Sequence, residues 1–92
     1  MIYKITWQPK AEKEFLKMDK FEQKQIQKFI DENVAVKNPK HLGYELGYEL
    51  TGFWRYDFGM YRIICDIQET ECIVFIVKVG NRKDIYKKFR RK

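Results

Sequence analysis

Residues 1–7, MIYKITW, alternate apolar and polar positions with β-branched and aromatic content, the period-two signature of a strand. Pro9 then suits the first turn of a helix, where its missing N–H would be unpaired anyway. Downstream, Ala11, Phe15 and Met18 fall on one helical face with Leu16 beside them. Asp19 followed by Glu22 resembles a capping box that starts a second helix, which Phe21, Ile26, Phe29, Ile30 and Val34 continue at near-helical spacing. Asn38-Pro39 marks the exit. The pattern predicts two short helices forming a hairpin over a sheet.

The segment HLGYELGYELTG carries a tandem tetrapeptide, Gly43 to Leu46 and Gly47 to Leu50, too short for a solenoid. Its glycines argue for a loop or an irregular strand entry. Three strands are predicted after it, at about 52–58, 60–68 and 72–79, and then a short basic helix or arm. The expected fold is α+β in the order β-α-α-β-β-β-α. Two N-terminal helices pack on one face of a largely antiparallel four-stranded sheet, and residues 1–92 form a single domain.

Register matters most in LTGFWRYDFGMYRIICDI, residues 50–67. A two- or four-residue loop centred on Phe58-Gly59 places Tyr56 opposite Tyr61, and hence Arg55 opposite Arg62. A three-residue loop shifts the register by one and sends the arginines to opposite faces. In the first register Trp54, Tyr56, Tyr61, Ile63, Cys65 and Ile67 share one apolar face. The other face collects Phe53, Arg55, Asp57, Met60, Arg62, Ile64 and Asp66. The slipped register mixes both faces, so the first is expected.

Two guanidiniums directly opposite on a sheet repel, by a few kcal/mol gross at about 5 Å and an effective dielectric of about 20. Two readings follow. Either Asp57 and Asp66 neutralise the arginines, or the face binds an anion, for which a phosphate between two forks is the natural ligand. After the apolar run to Val79, Gly80-Asn81 permits a sharp turn. Arg82 then emerges beside the strand bearing Arg62, with Lys83 and Tyr86 on one side of a helical turn.

Charge sharpens this picture. The chain of 92 residues carries a net +6, yet residues 1–81 hold twelve Lys/Arg against twelve Asp/Glu. Residues 82–92, RKDIYKKFRRK, hold seven basic residues and one acidic. Such a block suits a polyanion or an acidic protein partner, or serves as a solvated tail. Cys65 and Cys72 lack partners at metal-ligand spacing and are expected as plain buried or half-buried thiols. No apolar run is long enough to span a bilayer and no signal-peptide pattern precedes the fold, so a cytoplasmic protein without membrane partners is expected.

The W-R…G-x-Y-R hairpin, the strand-helix-helix entry and the V-G-x-R…Y ending resemble the RelE/ParE toxin superfamily of type II toxin–antitoxin systems, closest to its RelE-type ribonucleases. The resemblance covers most of the chain. It implies a toxin that enters the ribosomal A site and cuts mRNA by 2′-hydroxyl attack on the adjacent phosphate, with no metal or cofactor. It also implies neutralisation by a small acidic antitoxin with a helical tail, in an assembly that can extend to a heterotetramer.

By the same resemblance, Arg55 contacts phosphate, Arg62 stabilises the pentacoordinate phosphorus, Arg82 assists the leaving group and Tyr86 stacks on a base. Lys83 and Glu45 are the candidate general bases, ahead of His41. Lys78, Asn81, Lys87, Lys88, Arg90 and Arg91 are expected to bind RNA. Phe53 stands where some relatives carry a basic residue, and Asn81 where many carry His or Lys. Two further readings therefore stay open: a ParE-type inhibitor of DNA gyrase that cuts nothing, and an inactive homologue that only binds antitoxin.

Overall fold

The computed structural model describes residues 2–35, 43–47 and 51–81. Strand β1 (Lys4–Trp7) leads into α1 (Pro9–Leu16) and α2 (Lys20–Phe29). A π-helical turn (Ile30–Val34) extends α2. Strands β2 (Tyr44–Glu45), β3 (Phe53–Phe58), β4 (Tyr61–Gln68) and β5 (Ile73–Asn81) follow.

The four strands read from the sequence are present, and a fifth, β2, arises from the first Gly-Tyr-Glu-Leu copy by pairing antiparallel with β3. The sheet runs β1-β5-β4-β3-β2, with β1 parallel to β5 and the other pairs antiparallel. A two-residue strand has too little pattern to be read from its own residues; only its neighbour defines it. The predicted Asn38-Pro39 exit and the basic C-terminal helix lie outside the described residues.

Pro9 occupies the first turn of α1 as expected. Asp19 caps α2, its Oδ1 accepting from the Phe21 and Glu22 amides at 2.8 and 3.1 Å. The predicted capping box is only half formed. Instead of returning to the cap, the Glu22 carboxylate accepts from the Tyr61 hydroxyl on β4, tying α2 to the sheet. Gln23 closes the α1–α2 corner by donating to the Leu16 and Met18 carbonyls, which the end of α1 leaves unpaired. Past Phe29 the backbone widens, with the Ala35 amide donating to the Ile30 carbonyl. In an α-helix each four-residue step advances about 40°, which would swing Val34 away from the face that Ile26 and Ile30 share. The wider turn counters that drift, and all three side chains are fully buried.

The core lies between these helices and one face of the sheet. Ala11, Phe15, Ile26, Ile30 and Val34 meet Tyr56, Ile63, Cys65, Val74, Ile76 and Val79. Phe29 stacks on Phe58 at 5.0 Å between ring centroids and meets Tyr56 edge-on, while Trp7 packs against Phe15. Gly43 lets the chain pass close to these rings: a Cβ would lie 3.2 Å from the Tyr56 ring and 3.3 Å from that of Trp54.

Replacing Asp19 with Ala should cost about 1 kcal/mol through loss of the cap, read as a lower urea midpoint at unchanged slope. Burial pushes the pKa of both the Cys65 thiol and the Tyr56 hydroxyl above its ordinary range. The native state therefore holds protons that the unfolded chain releases. Stability should fall as pH rises past about 8.5, the ordinary thiol range, and the Cys65→Ala variant should lose the first part of that decline.

Candidate functional site

The β3–β4 turn consists of Gly59-Met60, and of these only Gly59 takes a positive φ, 59°. Glycine at the first central position is what a type II′ hairpin requires. The turn therefore sits one residue later than its predicted centre, and pairing changes by two. Phe58 faces Tyr61, Tyr56 faces Ile63, Asp57 faces Arg62 and Arg55 faces Ile64. The expected Tyr56–Tyr61 and Arg55–Arg62 pairs are thus replaced.

An even shift preserves parity, so the two faces survive almost intact. Arg55 and Arg62 still share the face away from α1 and α2, now as diagonal neighbours. Met60 leaves that face for the exposed turn.

The new register brings Asp57 between the guanidiniums. Arg62 Nε donates to Asp57 Oδ1 at 2.9 Å, and Arg55 Nε lies 3.5 Å from the same oxygen. Arg62 is the more enclosed, 16% exposed against 28% for Arg55. Arg55 Nε is buried with no hydrogen-bond partner, while its guanidinium rests over the Tyr44 ring, 5.0 Å from the centroid. Tyr44 was missed because it belongs to β2, the strand its own residues do not reveal. Among the described residues Asp57 lies against both cations, and Arg55 Nε keeps no hydrogen-bond partner. Asp66, the other proposed counter-ion, faces Phe53 and accepts weakly from Gln68 instead.

Other candidates separate. Glu45 pairs with Trp54, so strand alternation places it on the helix-bearing side, away from the arginines. On β5 one extra residue, Val77, sits between the Ile64–Lys78 and Cys65–Ile76 pairs. Bulges re-aim side chains, and the Lys78 ammonium is held by both carboxylate oxygens of Glu14 on α1 at 3.0 Å. It is therefore a structural tie between sheet and helix.

Asn81 closes β5 opposite Tyr61, beside the Arg62–Gly80 pair. Arg82, Lys83, Tyr86, Lys87, Lys88, Arg90, Arg91 and His41 lie outside the described residues. Cys65 is a buried free thiol and Cys72 a half-buried one. The Tyr61 hydroxyl is held by Glu22, which raises its ionisation and leaves it on the helix side. Among the described residues no group of His, Cys, Asp and Glu is arranged to hold a metal ion.

The sequence profile of one family, described as ParE toxin of the type II toxin–antitoxin system parDE, matches residues 5–86. No curated protein sequence matches the chain. Solved structures match at the level of fold. The toxin–antitoxin complex RelBE2 from Mycobacterium tuberculosis superposes with a TM-score of 0.82 at 22% identity, covering 89% of this chain and 100% of that one. The isolated E. coli RelE toxin gives 0.70 at 18%, covering 86% and 83%. The archaeal RelE–RelB complex from Pyrococcus horikoshii gives 0.68 at 20%, covering 89% and 97%.

Replacing Asp57 with Ala should remove the carboxylate that lies between two like charges on neighbouring strands. A loss of about 1 kcal/mol is expected, discounted for the partial exposure of all three groups. Measured by urea unfolding, the loss should shrink in high salt, where screening weakens the repulsion.

Proposed function

The chain belongs to the ParE toxin family of type II toxin–antitoxin systems, within the RelE/ParE superfamily, and we propose that it is a toxin that cleaves mRNA in the ribosomal A site. One observation carries this reading: on the sheet face away from the helices two arginines lie against the Asp57 carboxylate, and the Arg55 Nε donor is unsatisfied. A phosphodiester, a monoanion with two non-bridging oxygens, fits such forks through charge-assisted and bidentate bonds.

In this mechanism the ribose 2′-oxygen forms a bond to phosphorus as the bond to the 5′-oxygen breaks. The products are a cyclic phosphate and a 5′-hydroxyl. Arg62, the more enclosed cation, offsets the charge that builds on the pentacoordinate phosphorus. Arg55, braced on Tyr44, holds the neighbouring phosphate oxygen. A phosphate entering between them competes with Asp57 for Arg62 Nε, so Asp57 holds the guanidiniums in place until substrate arrives. Arg82 follows Asn81 directly in the chain and is proposed to assist the leaving group by offsetting the charge on the 5′-oxygen, which takes its proton from water, with Tyr86 stacking on a base. Lys83 is the remaining proposed base for the 2′-proton, since Glu45 is on the other face. The catalysis rests on positioning and charge stabilisation, and needs no cofactor.

We further propose that residues 1–92 act as one toxin domain in the cytoplasm and that a small acidic antitoxin neutralises it. The relatives of like fold include complexes of toxin with antitoxin. A second reading, a gyrase-directed toxin without nuclease activity, is favoured by the family match itself and by Asp57, which halves the free charge of the arginine pair.

Primer extension on cellular mRNA after induction separates the two. Codon-phased cuts are expected, and Arg62→Ala should reduce them by about 10²–10³. Full toxicity in both Arg62→Ala and Arg82→Ala would refute the nuclease assignment. DNA damage without mRNA cuts would establish the second reading.

A further inference from the structure

The proposed cleavage needs a group that takes the 2′-proton. The face that carries the arginines holds a carboxylate, Asp57, directly beside the donors that would bind the phosphate. Asp57 on β3 stands opposite Arg62 on β4, and Gly80 of β5 completes the same rung without adding charge. Arg62 Nε donates to Oδ1 at 2.9 Å, and Arg55 Nε lies 3.5 Å from that oxygen. Among the described residues Oδ2 makes no hydrogen bond, and the side chain is 34% exposed. One oxygen is pinned and the other is open.

The surroundings of Asp57 are otherwise free of competing acids. Asp66, the other carboxylate on this face of the hairpin, faces Phe53 and forms no ion pair among the described residues. Tyr44 comes from β2 and lies against Arg55. Glu45 is on the opposite side of the sheet.

A passive counter-ion would work against this site. A fixed negative charge between the forks repels the phosphate that they bind. A neutral acceptor such as asparagine would hold Arg62 Nε without that repulsion. A carboxylate oriented through one oxygen and open at the other is instead the arrangement of a base steered by a third group.

We propose, on the mRNA-cleaving reading above, that Asp57 rather than Lys83 is the general base, accepting the 2′-proton on Oδ2. The proton moves from the 2′-oxygen to Oδ2 as the 2′-oxygen bonds to phosphorus and the bond from phosphorus to the 5′-oxygen breaks. The 5′-oxygen takes a proton from water, and the hydroxide left behind removes the proton from Asp57, restoring the carboxylate. Asp57 becomes neutral as negative charge builds on the phosphorane, so both guanidiniums turn from the carboxylate to phosphorus. An interaction that strengthens only in the transition state lowers the barrier. Lys83 is then left to act as a cation.

The test is single-turnover cleavage of mRNA on programmed ribosomes by the full chain, scored by primer extension from about pH 6 to 8. Asp57→Asn keeps an acceptor for Arg62 Nε, and its circular dichroism should match the parent's. Its rate at saturating toxin should fall on the order of 10²–10⁴-fold, with half-saturation unchanged or lower because the charge facing the phosphate is gone. The parent's rate should be flat with pH, since the base enters as a carboxylate. The residual rate of Asp57→Asn should climb about tenfold per pH unit, hydroxide having replaced the base. Asp57→Glu should recover part of the rate and the flat profile.

Full cleavage by Asp57→Asn would overturn the assignment and leave the nuclease reading standing. So would a loss seen only as weaker binding at an unchanged maximal rate, which would reduce Asp57 to a bracket for the arginines. A parent rate that itself climbs about tenfold per unit would return the role to a lysine, a group almost wholly protonated in this range. No cleavage by the parent at any pH would sink the nuclease reading itself, and the role of Asp57 with it.

Discussion

A two-residue turn at Gly59-Met60 sets the pairing of β3 with β4, and through it the side of the sheet from which each of their side chains emerges. Shortening or lengthening that turn by one residue would invert one strand relative to the other, sending Arg55 and Arg62 to opposite faces and breaking up the apolar face that holds Tyr56. The core depends on this register, because Tyr56, Ile63 and Cys65 are fully buried under α1 and α2. The candidate site depends on it equally. Arg55, Asp57 and Arg62 reach one another only because they share a parity.

That arrangement separates the molecule into two electrostatic regimes. On the sheet face the charges are compensated internally, by Asp57 between the arginines. On the helix side Glu22 accepts from Tyr61 and Glu14 from Lys78, which ties α2 and α1 to the sheet, and Asp19 caps α2.

Membership of the family establishes a toxin of a type II system. Likeness of fold does not by itself assign a reaction, since sites are grafted on folds. What distinguishes the readings is local. A phosphodiester-cleaving surface needs cations preorganised where charge develops, and the described part of the chain supplies two, one enclosed and one braced on an aromatic ring. The Asp57 carboxylate holds the Arg62 Nε donor and lies near that of Arg55, which stays unsatisfied.

Periodicity alone determined the two helices, the four longer strands in their order, the apolar face of the β3–β4 hairpin and the shared face of Arg55 and Arg62. These follow from repeats of 3.6 and 2 residues, which are local properties. Turn position was less legible, because Phe58-Gly59 and Gly59-Met60 both offer the glycine and preserve parity. Only strand pairing in three dimensions decided that Asp57, not Arg55, faces Arg62. Likewise β2 and Tyr44, the bulge that delivers Lys78 to Glu14, and the capture of Glu22 by Tyr61 all join residues distant in the chain. No local pattern encodes such contacts. They exist because closing the sheet and packing the helices on it bring those groups within hydrogen-bond reach.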